Sequence, residues 1–380
     1  MRILHTADLH LGRQFNGISL DDDQAEVLGQ IVEALKENEA DMLIVAGDIY
    51  DRAAPPTTAF RQFNAFLSRV ARETRAAVVL IAGNHDSADR ISAMAVMPDA
   101  SRALIRGAVS ADEKALVLQD QFGSVAFSAL PFSYEYAARE CFADETLATP
   151  EDVLKAQVAA ARRNVPEGAR WIVVAHAFVA GGSVSESERS LVRVGGVETV
   201  SPEIFDGAHY VALGHLHRPQ AVGVPHIRYS GSPLAFGFDE AGAAKSMSLV
   251  DIDGAGAVTI TELPFHPLRG VRSLRGKHAE LLLAEPSDDF IRIVLTDDAP
   301  VIDGMKRLRA IFPNACELRY ERDARAPEIK ALGEGRVTVT DPLEVIADFL
   351  AFVREDAMSD GERDIVAGGL DDLRRLEELA

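Results

Sequence analysis

The sequence predicts an α/β layered fold, and three observations carry that expectation. Short continuous apolar runs rich in β-branched residues recur along the first 265 residues, and amphipathic helical patterns separate them. No apolar run approaches the roughly 18–20 residues that a membrane helix needs, so the chain is expected to have no membrane segment.

Taken in order, the runs place strands at about Met42–Ala46, Ala77–Ala82, Ser124–Ala129, Trp171–Ala175, Tyr210–Leu213, His226–Tyr229, Met247–Ile252 and Val258–Leu263. One helix is expected after Asp21-Asp22-Asp23, with Val27, Leu28, Ile31 and Leu35 on one face. Another follows Thr57-Thr58, with Phe60, Phe63, Leu67 and Val70 at helical spacing. Acidic or hydroxyl residues at these starts suit the positive end of a helix. Around Pro264–Arg275 the texture changes to prolines, glycines and arginines. Beyond it, a strand (Phe290–Leu295), a helix (Val301–Ile311) and a strand (Cys316–Tyr320) suggest a small α+β unit. Asp341-Pro342 then opens a helix bearing Leu343, Ile346, Phe349, Leu350 and Val353 on one side. A weaker helix follows the capping-box pattern Ser359-Asp360-Gly361-Glu362 and is interrupted at Gly368-Gly369. The expected division is residues 1–265, 266–340 and 341–380, the last a helical tail whose apolar stripe suits a protein partner.

Composition narrows the function classes. Hydrophobic residues make up 47% and charged residues 26%, an ordinary globular balance. The two cysteines, Cys141 and Cys316, are too few for a disulfide scaffold or a thiolate zinc site, and a reducing cytoplasmic setting is expected. Residues 1–8 turn polar too early for a secretory signal. The net charge, 39 − 59 = −20, argues by itself against a free-standing protein that coats nucleic acid.

Five apolar runs end in residues of metal-ligand type: Ile3–Ala7 leads to Asp8 and His10, Met42–Gly47 to Asp48, Val78–Gly83 to Asn84-His85-Asp86, Trp171–Ala175 to His176, and Tyr210–Gly214 to His215 and His217. Ligands in open α/β sheets bind beyond the carboxyl ends of strands, so these ends can converge on one rim. Side chains two apart on extended backbone point the same way, which lets Asp8 pair with His10 and His215 with His217. Oxygen and imidazole donors without sulfur suit Mn²⁺, Fe²⁺ or Zn²⁺. Seven candidates exceed one tetrahedral ion and match two ions sharing a carboxylate. Such a pair can hold a phosphate, activate water and stabilise a leaving oxygen.

Asp8-Leu9-His10, Gly47-Asp48-Ile49-Tyr50-Asp51-Arg52, Gly83-Asn84-His85-Asp86, His176 and Gly214-His215-Leu216-His217 resemble the calcineurin-like metallophosphoesterase signature in full and in order. The stretches Leu4–Arg13 and Ala212–Gln220, and Tyr229-Ser230-Gly231-Ser232-Pro233 followed by Phe238-Asp239-Glu240, narrow the resemblance. They are similar to the nuclease subunits of bacterial SbcCD-type complexes, relatives of the double-strand-break repair nucleases. The resemblance implies a two-sheet sandwich flanked by helices, a small α+β capping domain and a helical tail. It implies one metal at Asp8, His10, Asp48 and His217 and a second at Asp48, Asn84, His176 and His215, most simply Mn²⁺, with Mg²⁺, Fe²⁺ or Zn²⁺ as alternatives. His85 is then a proton donor or charge stabiliser beside the phosphate, and Arg52 contacts the phosphate or pins its loop. Archaeal relatives carry a histidine where this chain has Asp51, so Asp51 is expected to orient His85. The implied activity is exonuclease action on double-stranded DNA ends and endonuclease action on hairpins or single strands. The implied partners are a second copy, as a homodimer, and an SbcC-type ATPase within a heterotetramer. A partner that grips DNA answers the charge objection.

Blander readings stand beside these. His5, His209, His226, His266 and His278 read as core, surface or strand residues. Lys306, Arg307, Arg309, Arg319, Arg322 and Arg325 read as a solvated salt-bridging face or a DNA-facing patch. The stretch with Ser183, Ser185, Ser187 and Arg189 between glycine pairs reads as a surface loop. The alternative functions are a phosphatase or small-molecule phosphodiesterase on the same core, or a non-enzymatic scaffold.

Overall fold

A computed structural model describes residues 1–96, 101–188, 192–193, 196–197, 199–322, 343, 346–347, 350 and 358–377. The α/β expectation holds: two six-stranded sheets face each other, with helices outside both.

The first sheet runs Val258–Pro264, Ser246–Ile252, Arg2–Thr6, Met42–Val45, Ala77–Ile81 and Ala103–Arg106. Its last four strands are mutually parallel, with His5 opposite Ile44 and Thr6 opposite Val45. The second runs Gln220–Val222, Val224–Tyr229, Tyr210–Gly214, Arg170–His176, Gly123–Leu130 and Leu116–Asp120, its four inner strands parallel. Parallel strands leave all their carboxyl ends on one side, which creates the shared rim.

The continuous apolar runs follow from burial on both faces. Ile3, Ile44 and Val79 meet Phe127, Ile172 and Tyr210 between the sheets. Their neighbours Leu4, Leu43 and Leu80 face outward beneath helices Asp21–Glu37 and Thr57–Glu73, against Val27, Ile31, Phe63 and Val70. On the other side Trp171, Val173 and Leu213 are covered by Leu154, Val158 and Ala161 of helix Pro150–Arg162. That helix starts on a full capping box between Thr149 and Asp152.

The α+β unit is a three-stranded parallel sheet, Val271–Gly276, Phe290–Leu295 and Ala315–Tyr320. Its first strand lies where the sequence suggested only a change of texture. The helix expected at Val301–Ile311 spans Gly304–Leu308 alone, because Asp303 at φ 54° sits in the left-handed region and starts it late. The unit has its own core of Ile291, Ile293, Leu295, Leu308 and Phe312. It packs on the sandwich by stacking Phe290 on Phe15 at 4.7 Å, while Asp23 binds Arg269.

Packing divides the chain into Met1–Glu321 and Arg322–Ala380. In the second unit a helix spans Asp360–Glu377 without a break at Gly368-Gly369; two glycines weaken a helix by about 1 kcal/mol each without ending it. Glu362 reaches back to the Ser359 amide at 3.0 Å, as the capping-box pattern implies. The stripe expected after Asp341-Pro342 lies largely outside the described residues; Leu343, Ile346 and Leu350 are described, as helical. Arg189 and Arg325 also lie outside them. No helix among the described residues is long and apolar enough to cross a membrane.

Candidate metal centre

The rim brings all seven proposed ligands together from both sheets. Asp8 and His10 follow strand Arg2–Thr6, and Asp48 follows Met42–Val45. The two turns stay paired beyond the sheet, with Asp8 N donating to Gly47 O at 3.0 Å and His10 N to Asp48 O at 3.0 Å. Asn84 and His85 follow Ala77–Ile81, while His176 ends its strand and His215 and His217 follow Tyr210–Gly214. The six charged or imidazole ligands are 5% exposed or less.

The Asp48 carboxylate is the junction. Its Oδ1 accepts the His85 amide at 2.9 Å, and its Oδ2 lies 3.6 Å from both His10 Nε2 and His176 Nε2. On one side His10 Nε2 and His217 Nε2 stand 3.2 Å apart, with Asp8 in the same cluster. On the other, Asn84 Oδ1 lies 3.0 Å from both His176 Nε2 and His215 Nδ1. Both Asp8 oxygens accept the His215 amide, at 3.0 and 3.1 Å.

Close approach dictates the glycines here. A Cβ on Gly83 would sit 2.1 Å from Asp48 Oδ1, and one on Gly47, itself at φ 91°, 2.4 Å from His176 Nδ1. Four ligands adopt backbone that side chains rarely accept: Asp8, His10, Asp48 and His215 have φ of 53°, 45°, 48° and 111°. Non-glycine strain clusters at sites where the surroundings over-determine it.

The donor set fits divalent cations. His176 Nδ1 lies 2.9 Å from the Ala46 carbonyl and so carries its proton there. Its Nε2 is then a bare lone pair facing, as the amide is oriented, another acceptor in Asn84 Oδ1; a cation between them resolves the clash. His10 Nδ1 is buried without a hydrogen-bond partner. Burial depresses the imidazoles, His217 to about 4 and His176 to about 3, and lowers His10 and His215 well below 6.5 as well, so they are neutral donors. Burial, with Asp48 alongside, pushes the Asp8 carboxyl well above its usual range, an excess that a cation would remove.

His85 holds its Nδ1 2.8 Å from the backbone carbonyl of Asp51, leaving Nε2 towards the centre, 3.9 Å from Asp48 Oδ2. The Asp51 contact is therefore main-chain. Its carboxylate lies 3.7 Å from His10 Nδ1 and 3.5 Å from the Arg13 guanidinium. Arg52 is exposed. His5 hydrogen-bonds Tyr210 between the sheets, away from the rim, as a core residue.

Sequence reasoning missed the groups that hold the ligands. Asp86 accepts the amides of Ile49, Tyr50 and Gly83 at 3.1, 2.9 and 2.9 Å, tying the Asp48 turn to the Asn84 turn; burial and then Asp48 raise it to about 7. Gln24 accepts Gly12 N and donates to His10 O, at 3.1 and 2.7 Å. The stretch read as a surface loop closes on His217. Glu188 accepts the His217 amide at 2.6 Å, and Ser187 Oγ lies 2.8 Å from His217 Nδ1 and 2.5 Å from Glu240. Lys245 pairs with Glu240 and donates to His217 O at 2.8 Å. Glu240 and Asp86 both stood in motifs that carry the resemblance, which was the available signal; Glu188 and Ser187 had none.

A family model described as calcineurin-like phosphoesterase matches residues 1–219. A second, SbcD_C, described as type 5 capsule protein repressor C-terminal domain, matches residues 264–354. Among solved structures, the chain is similar to TT1561 of Thermus thermophilus at 15% identity and a TM-score of 0.37, over 69% of this chain and 98% of that one.

Two outcomes are expected of metal analysis. Protons compete with metal at each ligand. Burial keeps His217 neutral down to about 4, while burial and the neighbouring Asp48 raise the Asp8 carboxyl well above its usual range, so as pH falls protons should compete first at Asp8 and the ion it holds should leave before the other. Elemental analysis that finds both ions leaving together, or the ion held by Asn84, His176 and His215 leaving first, contradicts this. Secondly, Asp48→Ala should strip both ions and Asp8→Ala chiefly one; elemental analysis that finds two ions per chain in Asp48→Ala excludes a shared carboxylate.

Proposed function

Since the chain belongs to the calcineurin-like phosphoesterase family, a family of hydrolases of phosphoester bonds with two divalent metals, we propose that it is a two-metal DNA phosphodiesterase. The calcineurin-like and SbcD_C matches together support an SbcD-type nuclease subunit. The reading adds exonuclease action on double-stranded ends, endonuclease action on hairpins and single strands, and an SbcC-type ATPase partner in DNA repair and recombination. It also takes the working form to be cytoplasmic, with two copies of this chain in a heterotetramer. The observation that carries it is the Asp48 carboxylate, equidistant from His10 and His176 between two donor clusters.

Asp8, His10, Asp48 and His217 would hold one ion, and Asp48, Asn84, His176 and His215 the other; the oxygen-rich, thiolate-free set suits Mn²⁺, with Mg²⁺, Fe²⁺ or Zn²⁺ able to substitute. Two such ions supply charge to the phosphoryl oxygens and acidify water. The chain's own residues do the rest. Asp48 fixes the spacing of the clusters. The Asp51 carbonyl keeps the His85 proton on Nδ1 and turns Nε2 to the centre, where it hands a second proton to the departing 3′ oxygen. Arg13, anchored to the Ser187 carbonyl at 3.1 Å and lying over Phe236, is a better-placed cation than the exposed Arg52.

The test offers purified protein with Mn²⁺ or Mg²⁺ a labelled hairpin DNA and, in parallel, an aryl phosphate diester and monoester. Cutting of the hairpin is expected; hydrolysis of the monoester alone returns the phosphatase reading. In the same assay His85→Asn should keep two ions and lose about 10²- to 10⁴-fold in turnover, with partial recovery on a thio leaving group that needs no proton. Loss of a metal in that variant removes His85 from this role.

Residues 341–380 form the proposed docking tail. Deleting them should abolish co-purification with an SbcC-type ATPase while divalent-dependent cutting of single-stranded DNA persists. Unchanged affinity for the ATPase sinks the assignment.

A further inference from the structure

Strand Gly123–Leu130 runs parallel to Arg170–His176, Leu130 opposite Ala175, so its carboxyl end opens on the same rim as the ligands. It supplies no ligand. Instead it leads into Phe132, whose amide donates to the Ala82 carbonyl at 3.0 Å, two residues before Asn84. Pro131, Phe132 and Ser133 line a small cleft together with His176 and Phe178. From that cleft a row of rings leads outward. Phe132 meets Tyr134 edge-on at 5.0 Å, and Tyr134 stacks on Tyr136 at 5.7 Å with the planes 11° apart.

The two tyrosine rings are open to solvent, Tyr134 by 47% and Tyr136 by 68%, while Phe132 is half-buried. The third exposed aromatic among the described residues, Phe122, lies at the opposite end of the strand. The platform is also rigidly held. Tyr134 caps helix Glu135–Phe142, its carbonyl accepting the amides of Ala137 and Ala138 at 3.1 Å each, while Glu135 and Ala138 are buried on the helix's inner side. Stacked aromatic faces at the carboxyl end of a rim strand offer a mode of binding that needs no cationic surface. Nucleobases stack on them whatever their sequence. In a chain of net charge −20 that matters, because the usual phosphate-neutralising grip is scarce.

We propose that Phe132, Tyr134 and Tyr136 form a stacking platform for unpaired nucleobases of the strand whose phosphate lies at the metal centre, an inference that rests on the DNA reading above. It accounts for how hairpin loops and frayed ends are presented, since a paired base has no free face to offer. The flipped or single-stranded segment lies across the rings, and the next phosphate enters beside His176.

The test measures binding of the divalent-loaded full chain to a fluorescent, phosphorothioate-linked oligothymidylate, which resists cutting, and to an abasic oligonucleotide of equal length. Tyr136→Ala should weaken oligothymidylate binding about 5- to 150-fold, the range to which about 1–3 kcal/mol of stacking converts. Tyr134→Ala/Tyr136→Ala should weaken it further, and Tyr136→Trp should restore it where Tyr136→Leu does not. On the abasic strand all these proteins should bind alike. Equal affinity of wild type and double variant for oligothymidylate overturns the proposal, as does an equal loss on the abasic strand. A double variant that binds oligothymidylate normally but no longer binds the ATPase partner reassigns the rings to a protein surface and overturns it too. If binding depends on the rings and yet the wild-type chain cuts no DNA, the platform stands and the assigned activity falls.

Discussion

The arrangement at the rim depends on the Asp48 carboxylate being held at one point between two sheets. Its Oδ1 is fixed by the His85 amide, and its Oδ2 faces His10 from its own sheet and His176 from the other. Asp8 also reaches both sides, grouping with His10 and His217 and with His176 while accepting the His215 amide, but Asp48 is the carboxylate at 3.6 Å from an imidazole of each cluster. The spacing of the two donor sets is therefore set by the packing between the sheets, at Ile3, Ile44 and Val79 against Phe127, Ile172 and Tyr210. Interiors packed as densely as crystals do not let such a distance drift. The cost appears in the backbone. Four of the proposed ligands sit at positive φ, at about 1–3 kcal/mol each, against a typical whole-domain stability of about 5–15 kcal/mol. Only layers buried on both faces can carry that.

This division of labour explains why some of the molecule was legible in sequence. Strands buried on both faces must be apolar at every position, so Met42–Val45 and Arg170–His176 announced themselves and their ends pointed to the ligands. Strand Val271–Gly276 did not, because only Val271 in it is fully buried and its arginines face outward. Glu188 and Ser187 left no periodic trace: they act through single hydrogen bonds from a loop, and pairing them with His217 needs the tertiary fold. Asp51 illustrates a subtler limit. The sequence placed it beside His85, which is where it lies, but the contact runs through its carbonyl, an atom every residue possesses. Residue type carries no information about a main-chain partner.

The acidic composition takes on a different meaning once the centre is in view. Without cations the site offers phosphate no positive charge, since burial keeps its imidazoles neutral and, with Asp48 alongside, raises the Asp8 carboxyl well above its usual range. Two divalent ions held there would supply the positive charge that the cavity lacks. By linkage, phosphate must then raise metal affinity by the factor by which metal raises phosphate affinity. Surface charges elsewhere are screened within about 8–10 Å at physiological salt, so on the proposed DNA reading the net −20 would act mainly against non-specific contact along DNA. A basic protein would adhere to every phosphate it met. On the proposed reading, an acidic chain with a cation-dependent centre and an uncharged stacking face would engage a strand only where an open base and a loaded site coincide, and selectivity for ends and loops would then follow from charge as much as from shape.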